Sequence, residues 1–323
     1  MKRIHPLMPA YPGAQAQRGF SLVELLVALA LSMVIVIATT YVYLGTRETQ
    51  RTLFEKAYAT ETAHYTLDVI GRDIENAGFY PSNQVGLVGA PVVQTYTNPV
   101  TASPPAAYNA KVFGCQAQMY DPTSSPPACA AHTGTVDADA LMLNSYSNDA
   151  SGLDIGNRAD CLRQDSANDS VNAARRNAGH PGASLPPIQP LFVSNRYTLV
   201  ANTAQVEGQA ISTFSLACNG NGGTGYQPIV AGVDQLRFYY LERADTTTNS
   251  QFQRANGVTN WANVVAVRVC LMARSLQAAR LQGSTSYTIA DCDGTARSFT
   301  DGIERKIFSQ IFALKNHIQI TNP

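Results

Sequence analysis

The sequence predicts an α+β protein, in which one long N-terminal helix, transmembrane in its first half, packs on an antiparallel β-sheet head. Three observations predict it. Phe20 to Tyr43 is apolar apart from Ser21, Glu24, Ser32, Thr39 and Thr40. At about 1.5 Å per residue, such a run can cross a hydrocarbon core about 30 Å thick. Thr46 to Ala77 continues without proline and with one internal glycine, Gly71. The C-terminal half then repeats short stretches of period two, rich in β-branched residues and separated by turns, which is the pattern of antiparallel sheet.

Within the helix, Leu53, Ala57, Thr60, His64, Leu67, Gly71 and Ile74 recur at steps of three and four, and Phe54, Tyr58, Tyr65 and Ile70 widen the stripe. That spacing predicts an amphipathic face. His64 lies on the stripe with no second ligand one turn away, so it is read as a packed or half-exposed histidine. Gly78 supplies the stop. A helix over 20–77 would be roughly 85 Å long.

The segments "YTNPVTASPPAAYN" and "YDPTSSPPACAAH" are rich in Pro, Ser, Thr and Ala and read as long loops. "DALMLNSYS", "SNRYTLVAN" and "AISTFSLAC" read as strands, with Phe214, Leu216 and Cys218 on one face of the last. In "GVDQLRFYYLE" the face is Leu236, Phe238 and Tyr240, and in "WANVVAVRVCLMARS" it is Val265, Val267, Val269 and Leu271. "GIERKIFSQIFALKNHIQI" is ambiguous, because Ile303, Ile307, Ile311, Leu314 and Ile318 fit a helix as well as a strand. Composition favours a strand.

The 323 residues carry a formal net charge of zero, and 14% are charged. No basic block stands out, so a nucleic-acid partner has no electrostatic footprint. The six cysteines are Cys115, Cys129, Cys161, Cys218, Cys270 and Cys292. None forms C-x-x-C and the five histidines are scattered, so zinc-ligand spacing is absent. Separated cysteines in even number after a membrane segment point to disulfides and an oxidising compartment, with fifteen pairings open. Cys115 and Cys129 flank the second loop, so a bridge there would pin it.

The charges near the span do not orient it, since Lys2, Arg3 and Arg18 precede it while Arg47, Arg51 and Lys56 follow. The cysteines break the tie and predict a cytoplasmic N-terminus, with the head on the oxidising side. The first 19 residues differ from a secretory signal, in which the apolar stretch precedes the cleavage site. Here a basic segment ends at Gly19 and the apolar stretch begins after it.

"RGFSLVELLVALAL" resembles the class III signal of type IV prepilins and pseudopilins. In that family a prepilin peptidase cuts after the glycine and methylates the new N-terminus. The resemblance implies a cut between Gly19 and Phe20, N-methylation of Phe20, and an assembly role for Glu24, which falls at the family's signature glutamate. A carboxylate at the bilayer centre costs about 2.5–3.5 kcal/mol on insertion scales. Cutting creates an α-amino group at Phe20, and Glu24 of one subunit can then pair with the amine of a neighbour. Ser21-x-x-Glu24 also fits a capping box, and the two roles are compatible.

Further along, "ADC", "FSLAC", "GVDQLRFYYLE", "WANVVAVRVCLMARS" and "RKIFSQIFALKN" follow one another in an order similar to the minor pilin family PilW. The likeness covers roughly the first 60 residues and 155 to 320, and it too favours a strand at the closing segment. It implies a Cys161–Cys218 bridge, leaving Cys115–Cys129 and Cys270–Cys292 as the economical remainder, both closing short loops.

The predicted organisation is then a basic leader at 1–19, a transmembrane or filament-core half-helix at 20–45, an amphipathic half at 46–78 and a periplasmic β-rich head at 79–323. By resemblance the protein is a non-catalytic minor pilin that helps initiate or cap a type IV pilus at the inner membrane. The alternatives are a large pseudopilin of type II secretion and a membrane-anchored periplasmic receptor or enzyme. The implied partners are prepilin peptidase, other minor pilins and the major pilin. Whether the head binds a surface, a tip adhesin or only other minor pilins stays open in the sequence.

Motifs for other chemistry fall short. "GNGGTG", residues 220–225, satisfies G-x-G-x-x-G but precedes another turn and strand, where a dinucleotide site needs a helix N-terminus. It reads as a flexible hairpin loop. "DCDGTARSFTDG" supplies Asp291, Asp293 and Asp301, a weak calcium candidate. Its sixth position is Ala296 and no glutamate closes it, so a solvated turn is the plainer reading. Trp261 reads as a core anchor. No nucleophile–base motif of a hydrolase appears, and no cofactor is expected.

Overall fold

A computed structural model describes residues 19, 21–79, 111–120, 129–132, 136–146, 159–166, 192–223, 225–243, 251–277 and 286–316. Residues 1–18 of the leader, Phe20, the loop 96–109, most of 147–190 and Ile318 lie outside the described residues. The chain divides into two compact units, Met1–Gln50 and Arg51–Pro323.

Helix α1 spans Leu22–Asn76. Up to Gln50 every described side chain is exposed, and this stretch holds an apolar window long enough to cross a membrane. The hydroxyls of Ser32, Thr39 and Thr40 are satisfied within the helix. Ser32 donates to the Leu29 carbonyl at 2.9 Å and Thr40 to that of Val36 at 2.7 Å, so neither hydroxyl needs water.

From Arg51 onward α1 belongs to the second unit. Its buried residues are Ala59, Thr62, Ala63, Thr66, Leu67, Ile70, Gly71 and Ile74. This corrects the predicted stripe, whose second half is buried while its first half is not: Leu53 is 62% exposed and Phe54 73%. His64, also exposed, sets its ring edge-on to Phe308 at 5.7 Å. Apolar size misled here, because small residues let the helix approach the sheet closely, and Ala59, Thr62, Ala63 and Thr66 make that face.

The strands are β1 (Val112–Cys115), β2 (Met119–Tyr120), β3 (Cys129–Ala130), β4 (Ala140–Tyr146), β5 (Phe192–Val206), β6 (Gln209–Gly220) and β7 (Gln227–Ala231). They continue as β8 (Val233–Glu242), β9 (Phe252–Gln253), β10 (Val264–Arg274), β11 (Tyr287–Ala290), β12 (Ala296–Phe299) and β13 (Arg305–Ala313). A five-stranded sheet runs β1-β4-β5-β6-β7, a four-stranded sheet runs β13-β10-β8-β9, and β2-β3 and β11-β12 form small ribbons. All these ladders are antiparallel.

The inner faces of both large sheets and the buried face of α1 share one core, with Ile70, Ile74, Leu141, Leu199, Leu216, Leu236, Phe238 and Leu271 fully enclosed. The closing segment is a strand, β13, and Phe312 seats its ring over Gly71. In β10 a bulge between Val264 and Ala266 breaks the alternation. Val264 therefore takes the core position that period two gives to Val265. Trp261 precedes β10 in a 3₁₀ turn and packs on Phe113 and Tyr240, each with ring centroids 4.8 Å away.

Candidate functional site

The start of α1 is the first candidate. Gly19 is exposed and nothing lies within 4 Å of where its Cβ would be. Phe20, the residue that the motif makes the new N-terminus, is outside the described residues. Ser21 caps the helix, its Oγ accepting from the Glu24 N–H at 3.2 Å. The Leu25 N–H reaches the Ser21 carbonyl at 3.2 Å. One orphan donor of the first turn is thereby satisfied. Glu24 is exposed on a helix whose neighbours Leu22, Val23, Leu25 and Leu26 are exposed as well.

In the head three bridges form: Cys115–Cys129, Cys161–Cys218 and Cys270–Cys292. The first ties β1 to β3. The second joins the 160–165 turn to β6, and the third joins β10 to the 291–294 turn.

Around the second bridge Asp160 acts as a backbone acceptor. Its Oδ1 takes the N–H groups of Leu162 and Gln164, each at 2.9 Å, and its Oδ2 takes that of Gly222 at 3.0 Å. A Cβ at Gly220 would overlap the Asp160 carboxylate. The glycines of "GNGGTG" sit in the hairpin between β6 and β7 and let this turn close on the Asp-Cys segment.

The third bridge sits in an ion-pair network that the sequence reading missed. Arg237, 7% exposed in its side chain, pairs with Asp137 and Asp293. Arg254 pairs with Asp139 at 2.6 Å and Asp293 at 2.5 Å, and Arg297 with Asp137 at 2.5 Å and Asp291 at 2.7 Å. Asp139 also accepts from the N–H groups of Ala117 and Phe238. Residues 137–139 bridge the two sheets, since the Asp139 N–H donates to the Leu236 carbonyl. The signal in the sequence was the other parity of β8, where Gln235, Arg237 and Tyr239 alternate with the core residues.

These arginines engage two of the three carboxylates of the calcium candidate. Desolvation pushes Asp291 up, but the Thr295 N–H, Gln235 and Arg297 outweigh it and hold the carboxyl below its usual range. Asp301 is lowered chiefly by Arg305, which it meets at 2.7 Å. Among the described residues no group of three His, Cys, Asp or Glu side chains is placed to hold a metal ion. The arrangement binds strands together.

An apolar helix that follows the Gly19 junction and leads into an antiparallel head is the arrangement that the resemblance to type IV pilin-like proteins implies. Residues 15–40 match the prokaryotic N-terminal methylation motif, and residues 196–316 match the family described as Type IV Pilus-assembly protein W. Over residues 196–316 the chain is thus similar to the PilW pilus-assembly family. Among solved structures it is similar to a type IV-like pilin from Thermus thermophilus, at 13% identity and a TM-score of 0.31, covering 80% of this chain and 96% of that one. No curated protein matches the chain in sequence.

Proposed function

We propose that this chain takes part in initiating or capping a type IV pilus at the inner membrane, with its head in the periplasm and no catalysis of its own. Prepilin peptidase cuts between Gly19 and Phe20 and methylates Phe20. The new amine and Glu24 then direct docking with other minor pilins and the major pilin. The observation that carries this reading is Glu24, a lone ionisable side chain in the first turn of a helix whose apolar side chains are all exposed up to Leu44. A carboxylate there is costly in lipid unless a cation meets it. The match to a pilus-assembly family supports a pilus over type II secretion.

Two substitutions separate charge from capping. Glu24→Ala and Glu24→Gln leave Gly19 and Phe20 unchanged, so both variants should be inserted and cut. Gln keeps size and capping capacity and loses the charge. If pairing with a neighbour's amine is the role, both variants fail to co-purify with partner pilins and lower the pilus count in cells lacking the native protein. Wild-type behaviour of Gln with loss in Ala assigns Glu24 to capping, and wild-type behaviour of both removes the assembly role.

A further inference from the structure

Strand β5 has 15 residues, against a usual strand length of about 5–6. Its first part is flanked on both sides. Phe192 to Tyr197 pairs with β4, and Ser215 to Cys218 of β6 pairs with β7. The Phe214 carbonyl still accepts from the Gly232 N–H at 3.0 Å. Beyond it, the ladder from Asn202↔Thr213 to Val206↔Gln209 has no described strand on either outer side, and Thr203, Gln205 and Ala210 are exposed. The turn Glu207–Gly208 closes it.

A two-stranded ribbon by itself is marginally stable in water. Its outer edges present rows of unpaired N–H and C=O groups, which proteins ordinarily guard with lysine, proline or a bulge. None of these guards is present. Residues 201–214 contain no proline and one charge, Glu207 at the tip, and the ladder there keeps its register without a bulge. Groups spaced as in a strand edge are satisfied in register only by another extended backbone.

We propose that the β5–β6 ribbon is a docking arm that takes an extended strand of a neighbouring pilin head by edge addition. The proposal rests on the reading of this chain as a pilin that assembles with others. It adds a second contact, made by main-chain hydrogen bonds in the head and separate from the charge pair at Glu24. The low charge of the arm selects an occupant strand that is itself nearly neutral, because a charged side chain in the added strand would find no partner on the arm.

The test uses the full chain in cells. Replacing Asn202–Thr213 with Asn-Gly joins Ala201 to Phe214 through a two-residue hairpin turn and leaves the core residues Leu199 and Leu216 in place. A second variant, Thr203→Lys with Gln205→Lys, keeps the arm and guards it. Both should be cut and oxidised like the wild type, and both should recover other pilins from detergent extracts at least about ten-fold less well, the change in affinity that ~1.4 kcal/mol produces. A photo-crosslinking residue at Gln205 should attach to a strand of another pilin head. Undiminished recovery in both variants overturns the proposal, as does attachment to lipid, to a second copy of this chain or to a non-pilin. A wild-type chain that recovers no pilin overturns the assembly reading and this proposal together. Recovery that falls in the Glu24 variants and not in the arm variants overturns the arm alone.

Discussion

Asp73 sits on the inner side of α1 and accepts from Tyr197 Oη at 2.6 Å and Asn195 Nδ2 at 2.7 Å. Burial raises its pKa above the ordinary 3.8, and the two donors only partly offset that rise. The native state therefore holds this proton more tightly than the unfolded chain does. As pH climbs from the unfolded value through the raised native one, the unfolded state releases its proton first and stability falls. Above the native value the loss is complete. Asp73→Asn keeps an acceptor for both donors and removes the titration. Its stability relative to wild type should rise with pH across the window that begins near 3.8, and urea unfolding of both proteins over a pH series checks this. A difference that is flat or falls with pH would show that the charge is not desolvated. Asp137, Asp291 and Asp301 have the opposite sign. Their lowered pKa values contribute stability that is present above 3.8 and lost as pH falls through the native values, in both proteins alike.

At the scale of elements, the sequence is legible where one rule acts and misleads where two compete. Helix α1 has an unbroken pattern and is found almost to the residue. The inner face of β8 follows period two and is found, whereas β10 contains a bulge that no alternation rule contains. The helix face was read from apolar size, while close packing between α1 and β13 selects small residues. Gly71 shows the competition in one position. Alanine there should help the helix by about 0.8–1.0 kcal/mol. Its Cβ, however, would overlap the ring of Phe312, which is 7% exposed and has little room to retreat, and overpacking costs about 1–3 kcal/mol. Gly71→Ala should therefore lower the thermal midpoint, and adding Phe312→Leu should recover part of the loss. A midpoint at or above wild type would mean that the ring moves freely and that helix propensity decides. The candidate sites divide in the same way. Gly19, Phe20 and Glu24 stand in a contiguous motif and can be read. Asp137, Asp139 and Arg237 come together only after the 137–139 segment is laid against β8, so no local spacing announces them.

For the whole molecule, the cysteines link the fold to the side of the membrane on which it is made. Each bridge fastens a short ribbon strand or a turn to a sheet strand: β3 to β1, the 160–165 turn to β6, and the 291–294 turn to β10. The segments so fastened carry Asp160 and the Asp291–Asp293 pair, whose hydrogen bonds to Gly222, Gln235 and Arg237 depend on their position. Reduction should thus loosen the polar networks as well as the chain. Cys161–Cys218 spans the longest separation, 57 residues, and in a chain-entropy account longer closed loops gain more. Replacing that pair with serines should cost about 2–4 kcal/mol, and more than replacing Cys115 and Cys129, which are 14 apart. Urea unfolding of the two double variants measures the order. Non-reducing peptide mapping of protein taken from the membrane supplies the test of placement. If the head is periplasmic as proposed, all six cysteines should be bonded, because disulfides persist in an oxidising compartment. Six free thiols in freshly blocked cells would put the head on the reducing side, reverse the orientation of the helix and remove the route by which it could enter a pilus.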